Sequence, residues 1–222
     1  MSLTESLLRP LPPARPAVTH YDDAAGTRVE LSVATLANWA AKTANWLVEE
    51  HDVEPGDPVA VKLPAHWQTA GVLLGAWWAG AHVVAGGEAR VTFVPGRAVE
   101  DVPGVVAAVS LDPMGRDLGG PVGAAADFVG EARMFGDDYF GAPVPDSTPA
   151  LAGLTVAEVL SRARGLADGA RVLSTKDWTI PDGVLAALVA PLAAGGSVVQ
   201  VSNADPDRLA AHRAAERTTV DL

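Results

Sequence analysis

The sequence predicts an α/β fold, with mostly parallel sheet flanked by helices. Three observations carry that reading. Short runs rich in valine alternate with helical stretches through most of the chain. Residues 59–85 run strand, helix, strand, the order of a right-handed parallel crossover. A helix that ends in glycine and leads into a strand recurs at 77–84 and 192–201.

Residues 1–16 are punctuated by proline and are expected as an extended N-terminal segment draped over the surface. Residues 17–222 are expected as a single α/β domain, with 17–145 and 150–222 as its candidate sub-lobes. Strand candidates 17–21 and 28–31 flank a turn carrying Asp22, Asp23 and Gly26, which predicts a hairpin. Ser32 is placed to cap a helix reaching about Glu50. On it Leu36, Trp39, Ala40, Thr43, Trp46 and Leu47 recur at helical spacing, so both tryptophans read as core packing.

Pro55 and Gly56 make the next turn, and Pro64 ends the strand over 59–63. A helix is expected over 68–80, then strands over 81–85, 91–94 and 105–109. The glycine-rich 115–124 reads as a loop. A helix is expected over 127–139, although Gly130 and Gly136 oppose it. Thr155 and Glu158 form a capping-box signature for a helix over 156–167. A strand over 171–174 follows. Pro181 and Asp182 suit the first turn of a helix that Gly195 and Gly196 terminate. A strand over 197–202, a helix capped by Asp205 and a last strand over 218–222 complete the chain.

The 222 residues suffice for a substantial core, and 49% are hydrophobic, which excludes a disordered chain. A formal charge of −11 opposes nucleic acid and anionic membrane surfaces as partners. The absence of cysteine excludes disulfides and thiolate chemistry. Neither a signal peptide nor a spanning helix is visible, so a cytoplasmic location is expected.

Two segments resemble the adenylate-forming enzymes, the acyl- and aryl-CoA synthetase (AMP-binding) superfamily. The first covers 16–84 and is carried by Pro16-Ala17-Val18, the helix over 36–47, Gly56-Asp57, Leu63-Pro64, and Gly75-Ala76 through Gly80-Ala81. The second covers 171–219 and is carried by Val172-Leu173-Ser174, Pro191-Leu192, Gly195-Gly196, Asp205-Pro206 and Thr218. The resemblance implies part of the N-terminal domain of those enzymes. The whole is most similar to a short actinobacterial-type family that carries only this front portion.

Departures from that pattern bear on activity. Catalytic members carry a Ser/Thr/Gly-rich loop ending in Pro-Lys-Gly, whose clustered donors surround the ATP phosphates. Here Ser147-Thr148-Pro149-Ala150-Leu151-Ala152-Gly153 runs straight into the next element, with no lysine and no glycine cluster. Thr175-Lys176-Asp177-Trp178 stands where the family carries a pocket histidine. The family's adenine and magnesium motif and its C-terminal catalytic lysine have no counterpart in these 222 residues.

No catalytic, cofactor-binding or metal-ligating residue is therefore assigned. None of His20, His51, His66, His82 and His212 pairs with another at metal-ligand spacing. Asp22-Asp23 and Asp137-Asp138 read as solvated loop charge, and Ser110-Leu111-Asp112 lacks a partnered histidine. Loss of a loop beside the core favours collapse of the family's cleft; a pocket that survived would lie after the strand ends, with Pro64, His66, Trp67 and Trp178 as its candidate lining. The plainer alternatives are a helix-start residue for His66 and core packing for Trp178. The expected function is a non-catalytic, pseudoenzyme-like binding or scaffold role, with a protein partner or a homodimer. The alternative is retention of a small-ligand site for an acyl or aryl acid or a nucleotide, with or without residual synthetase activity.

Overall fold

Local signals set most element boundaries in the computed structural model, which describes residues 1–96 and 104–222. The start of the chain corrects the expectation of an extended segment: Leu3–Leu8 is a helix (α1). Ser2 and Glu5 form a capping box at its start, and Leu3, Leu7 and Leu8 are buried. The Thr4 hydroxyl donates to the Leu74 carbonyl. The prolines at 10, 12, 13 and 16 stop this helix without preventing it.

Pro16–Asp22 (β1) and Thr27–Ser32 (β2) pair antiparallel, as the hairpin signal predicts. Ser32 caps Val33–Asn45 (α2), its hydroxyl accepting from the Thr35 amide, and a π-helical turn, Trp46–Glu50, extends it. Pro58–Val61 (β3), Trp67–Trp78 (α3) and His82–Val84 (β4) form the crossover unit, with β3 and β4 parallel. Val91–Pro95 (β5), Val105–Val109 (β6) and Ala126–Asp127 (β7) follow.

Phe128–Ala132 (α4) is all that forms of the helix expected over 127–139. Side chains from α2 take the carbonyls a longer helix would use: Lys42 donates to Phe135, and Asn45 donates to Gly136 and Asp138. Pro149–Leu151 (β8), Leu154–Thr155 (β9) and Val156–Arg162 (α5) come next, the last with the predicted Thr155–Glu158 capping box. Gly165 follows at φ +125°, so α5 stops short of residue 167. Then come Arg171–Ser174 (β10), Asp182–Val184 (α6), a π-helical segment Leu185–Val189, and Ala190–Ala193 (α7). Ser197–Ser202 (β11), Pro206–Glu216 (α8) and Val220–Asp221 (β12) end the chain.

The strands form two sheets, in the orders β12-β10-β11-β1-β2 and β7-β6-β5-β3-β4-β8-β9. Among the described residues, apart from the hairpins β1–β2 and β8–β9, every pairing between these strands is parallel. One apolar core runs from Val18 and Val198 of the first sheet, through Leu36, Ala40 and Leu73 of α2 and α3, to Val59 and Phe93 of the second. Trp46 and Trp77 are fully buried, each with its indole N–H satisfied, by Glu131 and by the Ala150 carbonyl. A smaller cluster of Leu173, Val199 and Val201 lies under Leu209 of α8. Among the described residues no helix is long and apolar enough to cross a membrane.

Candidate functional site

Parallel strands from both sheets end at a common cleft of about 380 Å³. Its lining comes from the ends of β1 and β11, from the segments following β3, β6 and β10, and from Thr27 at the start of β2. Carboxyl ends of parallel strands are the usual ligand location in open α/β sheets.

His20 and His66 meet there edge to face, with ring centroids 4.5 Å apart. His66 sits at the cap of α3, and its Nδ1 accepts from the Gln68 amide at 3.1 Å. That bond fixes the tautomer and leaves Nε2 carrying the proton. His20 Nε2 lies 2.9 Å from Ser202 Oγ. The Ser202 hydroxyl spends its own proton on the Ala65 carbonyl at 2.9 Å, so it accepts from His20 Nε2. His20 Nδ1 is then a bare acceptor. It is buried and has no partner, and so is the hydroxyl of Thr27 in the same lining.

Burial keeps both rings neutral. It pushes His20 down to about 4 against the opposing charge of Asp22. It pushes His66 down to about 3, with His20 adding to the effect. Asp22 is charged. Burial raises its carboxyl, but hydrogen bonds from Asn203 and the amides of Ala25 and Ala24 outweigh that and hold it below its usual value. Those three bonds all fall on Oδ1.

The structure treats the four predicted lining residues differently. Pro64 and His66 both line the cleft. Trp178 does not; it lines a shallower neighbouring depression of about 510 Å³, which shares Pro64 and Asp177 with the cleft. Its indole N–H donates to Gln200 Oε1 at 3.0 Å, and Gln200 in turn donates to the Lys176 carbonyl, so Trp178 holds the cleft wall from behind. Trp67 is outside both. Being the first residue of α3, it turns under the helix, packs edge-on against Trp39 and donates to the Pro113 carbonyl. His20, Thr27, Gln200 and Ser202 were not singled out from the sequence. They belong to strands that meet only through sheet pairing, such as His20 with Gln200.

The reading of Asp22-Asp23 as solvated charge is corrected. Asp22 lines the cleft, and the Asp23 side chain is 2% exposed. Asp23 accepts from the Asp205 amide and from His212 Nε2, both at 2.9 Å, and so ties the hairpin to the cap and the middle of α8.

The segment after Ser147, which lacks the lysine and glycine cluster of a phosphate loop, is a hairpin closed by two residues. Ala152 at φ +47° and Gly153 at φ +85° join β8 to β9. Its position is pinned by the Ala152 amide on the Val83 carbonyl and the Gly153 amide on His82 Nε2 at 2.7 Å. No hydroxyl or lysine projects from the turn itself. Among the described residues, no group of three or more His, Asp or Glu side chains is placed to hold a metal ion.

No family model matches the sequence. The chain is 43% identical over 240 residues to the TIGR03089 family protein of Mycobacterium tuberculosis, covering 98% of this chain and 97% of that one. Among solved structures, it superposes on an acyl-CoA synthetase of Brucella canis with a TM-score of 0.79 at 17% identity. A benzoate CoA ligase of Burkholderia xenovorans gives a TM-score of 0.75, also at 17% identity. All of this chain is covered in both, against 47% and 50% of theirs, so it spans about half the length of the synthetases whose fold it shares.

Proposed function

Because this chain belongs to the TIGR03089 family, and its fold is that of the N-terminal portion of acyl-CoA synthetases, we propose that it is a non-adenylating relative that binds a small organic molecule in the cytoplasm. The two-residue turn at Ala152–Gly153 carries the first half of this reading. Adenylation moves charge among phosphate oxygens, and the barrier falls when fixed N–H groups, hydroxyls and a lysine surround that charge. A tight turn whose amides already serve Val83 and His82 offers no such cradle.

The cleft supports the second half. It is a concave site at strand ends, with two buried polar atoms unsatisfied. Calorimetry with ATP and magnesium, together with pyrophosphate exchange over a panel of carboxylic acids, tests the reading. No phosphate-dependent binding and no exchange are expected. Submillimolar ATP binding or exchange with any acid would overturn it.

Exposed Phe140 and Met134, 93% and 83% accessible, favour a second reading as a protein-binding scaffold or homodimer. Light scattering at micromolar concentration tests self-association. A strictly monomeric particle would remove the homodimer form of it.

A further inference from the structure

The strongest unexplained feature of the molecule is the polar face of the first hairpin where it forms the cleft wall. We propose that this cleft takes a small organic ammonium ion in preference to a carboxylate. The inference rests on reading the cleft as a ligand site and names the class of ligand.

His20 and Asp22 lie two residues apart on β1 and therefore on one face of the sheet. Thr27 stands directly opposite Asp22 in the antiparallel register, so it shares that face. All three line the cleft, and each carries a polar atom that the protein leaves without a full set of partners, Thr27 through a hydroxyl that can donate as well as accept. Asp22 Oδ1 takes all three donors that the turn and Asn203 offer, while Oδ2 engages none among the described residues. His20, only 3% exposed, has Nδ1 without a partner, and Thr27 Oγ1 is likewise buried and unpaired. An open carboxylate oxygen beside an unpartnered imidazole nitrogen calls for a ligand that brings donors.

Charge points the same way. Asp177 joins Asp22 in the lining, and no lysine or arginine is part of it among the described residues. Lys176 is exposed and outside that lining. His20 and His66 are neutral at physiological pH, so they do not offset the two carboxylates. The chain as a whole adds a field of the same sign, at −11. A carboxylate ligand would meet two like charges, and the donors left to it, the His66 Nε2–H and the threonine hydroxyls of the lining, are all neutral. A primary ammonium carries three N–H groups and the complementary charge. The apolar part of the lining, with Pro64, Leu111, Pro113 and Val201, suits the carbon body of such a ligand.

Benzylammonium, benzoate and benzyl alcohol share one shape and differ in charge. Each would be titrated into the full chain at pH 7.5 and constant ionic strength, up to the tens of millimolar expected for fragments of this size. The readout is the imidazole ¹⁵N resonances of His20 and His66 and the amides of Ala24 and Ala25. Benzylammonium is expected to move them with an affinity about tenfold or more above benzoate, and to weaken as salt is raised. Asp22→Asn keeps an oxygen for the turn amides but removes the charge, and Asp177→Asn removes the second. Each should weaken benzylammonium several-fold; Asp177→Asn should leave the thermal midpoint unchanged, and Asp22→Asn should lower it modestly, because the three hydrogen bonds on Oδ1 favour the charged carboxylate. Equal or tighter binding of benzoate would overturn the ammonium assignment and leave the ligand site standing. Absence of any shift at His20 and His66 with all three probes would overturn both.

Discussion

Gly75 on α3 lies so close to Thr43 on α2 that a Cβ at residue 75 would stand 2.3 Å from that of Thr43 and 2.7 Å from the Ala40 carbonyl oxygen. The helices are in close contact there, and the atoms that must yield are Thr43 Cβ, fixed directly to its backbone, and the Ala40 carbonyl oxygen. Gly75→Ala should therefore destabilise the protein by about 1–3 kcal/mol, despite the higher helix propensity of alanine. Urea denaturation checks this. Gly71→Ala, where the nearest atom is Trp39 Cβ at 3.2 Å, should cost less.

Trp178→Phe removes the indole donor and leaves Gln200 Oε1 buried without a partner. A loss of about 1–3 kcal/mol is expected, the cost of one orphaned buried acceptor. Pairing it with Gln200→Leu should recover part of that loss in a double-mutant cycle, because the unpaired oxygen is then gone.

Stability should fall between pH 7 and pH 5. His20 and His66 have folded values of about 4 and about 3, below the ordinary 6.5. The unfolded chain therefore takes up protons first as pH drops through 6.5. Stability is whole above that point and is lost as pH descends toward the folded values, by about 2 kcal/mol per histidine at pH 5. Glu216 adds a loss of the same sign at lower pH, from 4.5 toward its folded value of about 2. Chemical denaturation of the native chain and of His20→Gln at both pH values checks the assignment. The variant should show a visibly shallower decline.

Ala152 holds a left-handed backbone at φ +47°, which a residue with a Cβ adopts at a cost. Ala152→Asn should raise the thermal midpoint, by about 0.5–1 kcal/mol in stability, since asparagine tolerates that conformation. Gly153→Val, at φ +85°, should lower it by more than that.

Features that depend on a few adjacent residues were legible in the sequence. The Ser32 cap, the Thr155–Glu158 capping box, the β1–β2 hairpin and the crossover through α3 all form as read. Pro64 and His66 reached the cleft because the end of a strand and the start of a helix locate them by order alone. What was missed depends on distant partners. Helix α1 exists because Leu3 and Leu7 find a core built by later segments. Asp23 is an organising residue through Asp205 and His212, 182 and 189 positions away. Trp67 and Trp178 were placed near the right segment, but periodicity does not say which way a side chain leaves the first turn of a helix or a loop. The π-helical turns at Trp46–Glu50 and Leu185–Val189 have no composition of their own to announce them.

The pairing of β1 with β11 aligns Val18 with Val198 across almost the whole chain. On the ribosome, β1 emerges long before its neighbour exists. At roughly 5–20 residues per second, the delay between them is on the order of tens of seconds. During that interval the hairpin presents an unpaired apolar edge, a surface on which nascent chains aggregate. The second sheet, whose strands all lie between β2 and β10, can assemble in the meantime. Synthesis of this protein should thus demand holdase protection of its first thirty or so residues until the β11 sequence clears the exit tunnel.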